Sequence, residues 1–125
     1  MRKQARPLKN RDVIRLGQFD RSVERDEAIR AAIRQIPKVK VATFSQVAAA
    51  AGYPLYHRQV VRLLRNCGDA LPWQRVLGAG GFIKLQGEAG AEQRFRLELE
   101  GVKFKGKHVD MAAHQHEFRN WELWD

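Results

Sequence analysis

The chain has 125 residues, a length that suffices for one folded domain with a modest core but not for two. Its composition, 44% hydrophobic and 30% charged, is typical of a folded soluble protein and excludes a fibrous or disordered chain. A net charge of +9 on so small a chain favours a polyanionic partner such as nucleic acid.

The lengths of the apolar runs and the cysteine content indicate the cellular compartment of the protein. No run approaches the roughly 18 to 20 apolar residues that cross a bilayer, and residues 1–15 lack the apolar stretch of a secretory signal. The single cysteine, Cys67, has no partner for an internal disulfide, which is typical of a reducing compartment. We therefore expect a cytoplasmic protein with no membrane partner.

The basic residues are unevenly distributed along the chain. No acidic residue lies between Glu27 and Asp69. That stretch contains Arg30, Arg34, Lys38, Lys40, Arg58, Arg62 and Arg65. Such asymmetry indicates a nucleic-acid-binding face, and the alternative is a solvated basic surface that only maintains solubility.

Residues 1–18 are predicted to form a mobile basic N-terminal arm with at most one short ordered piece, because they carry many basic residues and lack clear periodicity. The basic residues are Arg2, Lys3, Arg6, Lys9, Arg11 and Arg15. A first helix is then predicted from Asp20 or Ser22, either of which can cap it, to Pro37, which ends it. Its predicted apolar side consists of Val23, Ile29, Ala32, Ile33 and Ile36.

Two short helices follow the first one. After an extended piece at residues 39–41, Ser45 can cap a helix at residues 46–51, and Gly52-Tyr53-Pro54 ends it. The next predicted helix, about residues 56–66, has an apolar and a basic side. The apolar side consists of Val60, Leu63, Leu64 and Cys67, and the basic side of Arg58, Arg62 and Arg65. This arrangement predicts a helix-turn-helix, with a solvated amphipathic helix as the alternative.

The remaining chain predicts a wing, a helix and a tail. Residues 71–81 are predicted to form a glycine-rich loop, and residues 82–85 a short strand or wing. Residues 91–100 are predicted to form a helix that ends at Gly101. Its residues Phe95, Leu97 and Leu99 are available for packing. Residues 105–125 form an aromatic C-terminal tail. Its apolar residues and those just before it are expected to fold back onto the domain. They are Val102, Phe104, Val109, Phe118, Trp121 and Trp124. The predicted fold class is mainly α, a winged-helix-like DNA-binding domain at residues 19–104.

An ordered set of short motifs resembles a known family. The motifs are Ile36-Pro37, VATFSQVA at residues 41–48, Gly52-Tyr53-Pro54, Arg58-Gln59-Val60, PWQRV at residues 72–76, and Glu100-Gly101. In this order and spacing they resemble the O6-alkylguanine-DNA alkyltransferases and the alkyltransferase-like proteins, over residues 20–102.

The resemblance bears on catalysis. In the alkyltransferases the active-site motif is proline, cysteine, histidine, arginine, valine, and the cysteine thiolate takes the alkyl group. The matching positions here are Trp73 and Gln74. An indole is no thiolate, and a neutral amide cannot act as the base that histidine supplies, although Glu100 matches the acid that orients that histidine. Tryptophan in place of cysteine is typical of the alkyltransferase-like branch, so the resemblance implies a protein that is not an enzyme and needs no cofactor.

The resemblance also implies binding residues. Arg58 matches the arginine finger that enters the duplex from the minor groove and fills the gap left by the flipped nucleotide. Thr43, Phe44 and Ser45 match residues near that nucleotide's phosphate, with Phe44 lacking the usual tyrosine hydroxyl. His57, Arg62 and Arg65 are further predicted DNA contacts. The predicted lesion pocket is bordered by Phe44, Trp73, Arg75, Lys84 and Gln86.

Alternatives to these roles remain open from the residues alone. Trp73 can be ordinary core, Arg75 can hold its loop through buried hydrogen bonds, and Arg58 can be a simple phosphate contact. Cys67 is interpreted as a small buried thiol rather than a nucleophile. His114 and His116 point apart if they lie in a helix, so we expect no metal site.

The implied function is a monomeric sensor that binds O6-alkylguanine in double-stranded DNA, flips the base and marks the site for nucleotide excision repair. Nucleotide excision repair proteins are the implied partners, and the sensor is expected at the nucleoid when bound to DNA. Two alternatives are an active alkyltransferase that uses Cys67 and a helix-turn-helix transcription regulator.

Overall fold

A computed structural model describes the backbone of residues 10–118 and the side chains of residues 21–118. Within this range the helices are α1 (Asn10–Arg34), α2 (Phe44–Ala50), α3 (His57–Arg65), α4 (Gly87–Glu100) and α5 (Met111–His114). The strands, two residues each, are β1 (Ala42–Thr43), β2 (Val76–Leu77), β3 (Phe104–Lys105) and β4 (His108–Val109). The predicted class, mainly α, is confirmed. In the described part of the chain, no helix combines the length and apolar character needed to cross a membrane.

The predicted helix-turn-helix is confirmed. Helices α2 and α3 are joined by a turn in which Gly52 has a φ of 95°, a conformation that glycine adopts without steric cost. On α3, Val60 is buried and Leu63 and Leu64 pack against the core. The three arginines, Arg58, Arg62 and Arg65, are exposed on its other side.

Helix α1 begins ten residues earlier than the predicted start at Asp20 or Ser22, within the segment interpreted as a mobile arm. Residues 1–9 lie outside the described residues. A helix forms its own backbone hydrogen bonds, and the arginine, leucine and glutamine of this segment favour continuation even where no apolar face specifies it. The exposed Val23 was wrongly assigned to the apolar side, because among residues 21–34 of α1 the first buried side chain is Ile29.

Two predictions around α2 are wrong in detail. Its N-cap is Thr43 rather than Ser45: Thr43 Oγ1 accepts the Gln46 amide hydrogen at 3.1 Å, while Gln46 Oε1 accepts that of Thr43 at 2.9 Å. This reciprocal pair is a capping box, which starts the helix two residues early. The expected extended piece at residues 39–41 forms only in part, because Val39 has a φ of 73° whereas Val41 forms a bridge to Gln115. Strand β1 follows it and pairs in parallel with β2, with Ala42 opposite Val76.

The predicted wing at residues 82–85 is not a strand. Only Phe82 forms a bridge, to His108, because the chain then leaves towards α4. The β structure of this region is the antiparallel hairpin of β3 and β4, with Phe104 opposite Val109. Helix α4 starts at Gly87, before the predicted residue 91, and ends before Gly101, which has a φ of 101°.

The core consists of two apolar clusters. The first lies among α1, α2 and α3 and includes Ile33, Val47 and Val60. The second includes Val41, Leu77, Leu97, Val102 and Val109. Phe118 packs on the first cluster and Phe104 on the second, so the expected folding back of the chain is confirmed for these residues. Trp121 and Trp124 lie outside the described residues.

The buried side of α4 differs from the prediction. Leu97 is buried, but Phe95 is 57% and Leu99 is 71% exposed. The buried positions are Gly90, Gln93 and Leu97, which follow helical spacing on one side. Phe95 and Leu99 therefore point away from the core.

Candidate nucleic-acid interface

The exposed side of α3 is cationic along its length. Arg58 and Arg62, one turn apart, line an open cavity of about 540 Å³ together with His57 at the first position of the helix. Arg25 of α1 lines the same cavity, with its guanidinium carbon 5.1 Å from the centre of the Tyr56 ring. The predicted contacts His57, Arg58 and Arg62 thus share one surface, to which the structure adds Arg25.

A hydrogen-bonded chain connects this surface to α1. Asp26 Oδ1 accepts hydrogen bonds from Arg25 Nε and from Gln59 Nε2, both at 3.0 Å. Gln59 Oε1 in turn accepts one from Arg62 at 3.3 Å. Sequence reasoning missed Arg25 and Asp26. An acid and a base that are neighbours on one helix do not indicate which other helix their side chains contact.

A second cavity, of about 260 Å³, lies between α2, α3 and α4. It is lined by Phe44, Val61, Leu64, Arg65, Trp73, Val76, Lys84, Leu85 and Gln93. Because Phe44, Trp73 and Lys84 were predicted to border a lesion pocket, we call it the lesion cavity after that prediction. Its volume lies just below the roughly 300 to 1,000 Å³ of sites for drug-sized ligands.

The predicted pocket residues divide into two groups. Phe44, Trp73 and Lys84 line the lesion cavity, whereas Arg75 and Gln86 do not. Arg75 turns instead towards α4 and the Ile36 carbonyl, and Gln86 is the exposed residue that precedes α4. Arg65, predicted as a DNA contact, lines the cavity from the end of α3.

Trp73 lies half-buried in a 3₁₀ turn (Trp73–Arg75). Arg96 places its guanidinium carbon 5.2 Å from the centre of the Trp73 ring and is held there by Glu92 at 2.7 Å and Asp69 at 3.0 Å. The buried Gln93 donates from Nε2 to the carbonyls of Gln74 at 3.1 Å and Val76 at 3.0 Å, which fastens the turn to α4. Sequence reasoning missed Gln93, whose only signal was its helical spacing to Gly90 and Leu97.

Glu100 is the centre of a polar cluster beside this turn. It accepts hydrogen bonds from Gln74 Nε2 at 2.8 Å, from Arg75 Nε at 3.1 Å and from the Val39 amide at 3.3 Å. Burial raises the pKa of this carboxyl, but the hydrogen bonds from Arg75 and Gln74, the Arg75 charge and the Val39 amide outweigh it and lower the pKa below its ordinary value. Glu100 is therefore an anion bound to Arg75 and Gln74.

His114 holds the other side of Val39. Its Nε2 accepts the Lys103 amide hydrogen at 3.0 Å, so the ring hydrogen lies on Nδ1, which donates to the Val39 carbonyl at 2.9 Å. Both ring nitrogens are thus engaged. His116 lies against Phe118, with 4.6 Å between ring centres, and its pKa is lowered by burial and by the nearby charge of Lys40.

The predicted phosphate-proximal residues Thr43, Phe44 and Ser45 lie at the start of α2. Thr43 uses its hydroxyl to cap the helix, Phe44 lines the lesion cavity, and Ser45 is exposed on the first turn. Of the two hydroxyl residues, Thr43 therefore caps the helix, whereas Ser45 is exposed to solvent.

Cys67 is separated from the lesion cavity. It is half-buried, and its Sγ lies 3.2 Å from the carbonyl oxygens of Leu64 and Gly68. Burial raises the pKa of the thiol, which disfavours the reactive thiolate. The cavity that Cys67 lines is a different one, shared with Arg30 and Arg34.

Comparisons with known proteins identify the family to which this chain is similar. The family model described as "6-O-methylguanine DNA methyltransferase, DNA binding domain" matches residues 24–102. Over 77 residues the chain is 46% identical to a DNA base-flipping protein of Vibrio parahaemolyticus, covering 60% of this chain and 77% of that protein. Over 76 residues it is 37% identical to alkyltransferase-like protein 1 of Schizosaccharomyces pombe, covering 58% and 70%.

A solved structure is similar in fold. The crystal structure of S. pombe Atl1 in complex with damaged DNA containing O6-carboxymethylguanine matches with a TM-score of 0.64 and 27% identity. The match covers 76% of this chain and 96% of that chain.

Proposed function

This chain belongs to the family of the 6-O-methylguanine DNA methyltransferase DNA-binding domain, and from that premise we propose that it is a non-enzymatic sensor of O6-alkylated guanine in double-stranded DNA. The observation that carries the proposal is the position of Trp73. It lines a mostly apolar cavity of about 260 Å³, next to the cationic side of a helix-turn-helix. Relatives named for base flipping and a similar fold bound to alkylated DNA support this function.

Binding uses the two cavities together. Arg62, His57 and Ser45 contact phosphates, which supplies affinity without regard to sequence. Arg58 enters the duplex and occupies the space of the flipped nucleotide, offsetting part of the few kcal/mol that unstacking costs. The flipped base enters the lesion cavity, where Phe44 and Trp73 provide aromatic surface.

The site lacks the two groups that alkyl transfer requires, which are a cysteine acceptor and a histidine base. Trp73 stands where the family's alkyltransferases have the acceptor cysteine, and Gln74 where they have the histidine base. Gln74 donates its hydrogen bond to Glu100 and has no basic nitrogen that can remove a proton. The cavity therefore retains the base without changing it.

A protein that binds a lesion without removing it contributes to repair only through a partner. We therefore propose that the bound, monomeric sensor marks the site for nucleotide excision repair proteins. The protein acts at the nucleoid of the cytoplasm when it is bound to DNA.

The test combines binding with mass spectrometry. We expect higher affinity for a duplex with one O6-methylguanine than for the same duplex with guanine, and an unchanged protein mass after incubation. Cys67→Ser is the control variant and should bind in the same way. Equal affinity for both duplexes contradicts a damage sensor and favours a transcription regulator, whereas a methyl adduct that disappears in Cys67→Ser identifies an alkyltransferase.

A further inference from the structure

We propose that Leu55 is an apolar wedge that inserts between base pairs of the bound duplex, beside Arg58. The inference rests on the proposed function, because it concerns the same helix-turn-helix surface. It goes beyond that function in assigning a DNA contact to the turn before α3. It also names the part of the DNA that Leu55 contacts, which is the stacked bases rather than the phosphates.

Leu55 is the most exposed of the large apolar residues that the structure describes, with 88% of its surface open to solvent. It belongs to the cationic surface of the helix-turn-helix, because it lines the open cavity of about 540 Å³ together with Arg58 and Arg62. An apolar side chain gains free energy when a partner removes it from water. A partner that covers this cavity therefore also buries Leu55.

The turn that carries Leu55 is fastened on both sides. The Tyr56 amide donates to the Tyr53 carbonyl at 2.9 Å, and the Tyr53 amide donates to the Ala48 carbonyl at 2.9 Å. The rings of Tyr53 and Tyr56 meet edge to face, with 5.7 Å between their centres. Pro54, directly before Leu55, has its φ fixed by its ring. Leu55 is thus held on a constrained turn, so little conformational entropy is lost when the turn meets its partner.

The charges around Leu55 favour a polyanion as that partner. Arg25, Arg58 and Arg62 line the same cavity, and no acidic residue does so among the residues that the structure describes. An apolar protein surface would desolvate these cations without neutralising them. A duplex neutralises them with its phosphates and also offers the apolar faces of its bases. Because Leu55 lies only three residues before Arg58, both side chains meet the same part of the duplex.

A leucine in this position acts on base stacking. Apolar side chains that enter a groove insert between base steps, unstack them in part and kink the duplex. When Arg58 takes the place of a flipped nucleotide, the neighbouring base has lost a stacking partner. Leu55 covers the face of that base, so it stabilises the kinked duplex that accompanies flipping.

The experiment measures affinity and DNA bending with one O6-methylguanine duplex that carries a donor and an acceptor dye at its two ends. At saturating protein, we expect the unchanged chain to bring the ends closer together and Leu55→Ser to do so less. The affinity of Leu55→Ser should fall by about tenfold, which is roughly the value of burying one leucine side chain. The slope of log K against log salt should stay the same, because no charge is removed.

Two variants control for general effects. Leu99→Ser is the matched control, because Leu99 is 71% exposed but lies on α4 and lines neither cavity. It should bind and bend the duplex like the unchanged chain. Leu55→Met keeps an apolar side chain of similar volume and should keep both the affinity and the bend. The melting temperature of Leu55→Ser should barely change, because the side chain is exposed in the free protein.

Three outcomes overturn the inference. Unchanged affinity and bend in Leu55→Ser show that Leu55 remains in solvent. A lower affinity with an unchanged bend places the leucine against the DNA without wedging it between base pairs. A lower salt slope in Leu55→Ser shows that the substitution displaces phosphate contacts. Failure of the proposed function is distinguishable, because the unchanged protein would then bind O6-methylguanine and guanine duplexes alike.

Discussion

Arg75 and Glu100 form a largely buried ion pair, in which Arg75 Nε lies 3.1 Å from both carboxylate oxygens and Nη2 lies 3.1 Å from Oε2. Their side chains are 13% and 10% exposed, so water screens the pair weakly. Arg75 also donates to the Ile36 carbonyl at 2.9 Å, which joins the Trp73 turn, α4 and the end of the α1 region. This ion pair explains why Arg75 is not available to the lesion cavity.

We predict that Glu100→Gln lowers the free energy of unfolding by about 2 to 3 kcal/mol at neutral pH, because it leaves a buried guanidinium without its anion. Chemical denaturation of the two proteins measures the difference. Glu98→Gln, which alters an exposed carboxylate on the same helix, is the control and should change the free energy of unfolding by less than about 0.5 kcal/mol. Equal effects of the two substitutions would contradict a special role for Glu100.

The same pair predicts a pH dependence. The pKa of Glu100 is lowered in the folded protein, so its contribution is present above the carboxyl's unfolded pKa of about 4.3 and is lost as the pH falls through the folded value. The stability difference between the unchanged protein and Glu100→Gln should therefore shrink as the pH decreases below about 4. A difference that stays constant down to acidic pH would show that the charge of Glu100 is not its cause.

A substitution at Val39 is expected to raise the free energy of unfolding. Its φ of 73° lies in the left-handed region, which a β-branched residue adopts at a cost of roughly 1 to 2 kcal/mol. We expect Val39→Gly to raise the free energy of unfolding by about 0.5 to 1 kcal/mol, after the greater backbone entropy of glycine in the unfolded chain is subtracted. Lys38→Gly, next to it but without a positive φ, should lower the free energy of unfolding. Thermal melts of both variants decide the matter.

The helix-turn-helix was predictable because its signals are local. The spacing of the apolar residues determines which side of α3 packs, and the glycine marks the turn before it. Both features are visible within a few residues of the sequence. The start of α1 was not predictable in this way, because the sequence of residues 10–20 has no clear helical periodicity. On α4, the Phe95 and Leu99 positions satisfy helical spacing as well as the buried Gly90, Gln93 and Leu97 do, and hydrophobicity favoured the wrong side.

The candidate site was predictable for those residues that the family resemblance assigns to it. Phe44, Trp73 and Lys84 were assigned to the pocket from the family resemblance, and the structure brings them to one cavity. The position of Arg75 depends on Glu100, 25 residues away. Such partners follow from the tertiary fold and not from the local pattern.

Trp73 should report the lesion directly. In a variant with Trp121→Phe and Trp124→Phe, Trp73 is the remaining tryptophan, so its fluorescence can be assigned. We expect a larger change in intensity with O6-methylguanine DNA than with unmodified DNA, because a flipped base in the cavity stacks near the indole. Spectra that respond identically to both duplexes would identify Trp73 as ordinary core.

Arg62 should behave as a phosphate contact. We expect Arg62→Gln to weaken binding to alkylated and unmodified duplexes by the same factor and to lower the slope of log K against log salt by about one. Arg34→Gln is the matched control, since Arg34 is an exposed arginine that is paired with Glu27 and lies outside both DNA cavities. An unchanged slope in Arg62→Gln would place the DNA on another surface.

Arg58 should contribute to lesion preference rather than to general affinity. Its side chain is exposed, so Arg58→Ala should alter the free energy of unfolding by no more than about 0.5 kcal/mol. Without the guanidinium inside the duplex, the few kcal/mol of unstacking have no local compensation, and flipped states become rare. Affinity for the O6-methylguanine duplex should therefore fall towards that for the unmodified duplex, while the melting temperature barely changes.

The comparison of Arg58→Ala with Arg62→Gln separates the two roles on one helix. Both substitutions remove one positive charge from the same side of α3, so any general electrostatic loss is shared. Only a residue that fills the space of a flipped nucleotide changes the ratio of the two affinities. If Arg58→Ala kept the wild-type ratio and lost affinity for both duplexes alike, as expected for Arg62→Gln, Arg58 would be another phosphate contact and the flipped state would have to be stabilised by the lesion cavity alone.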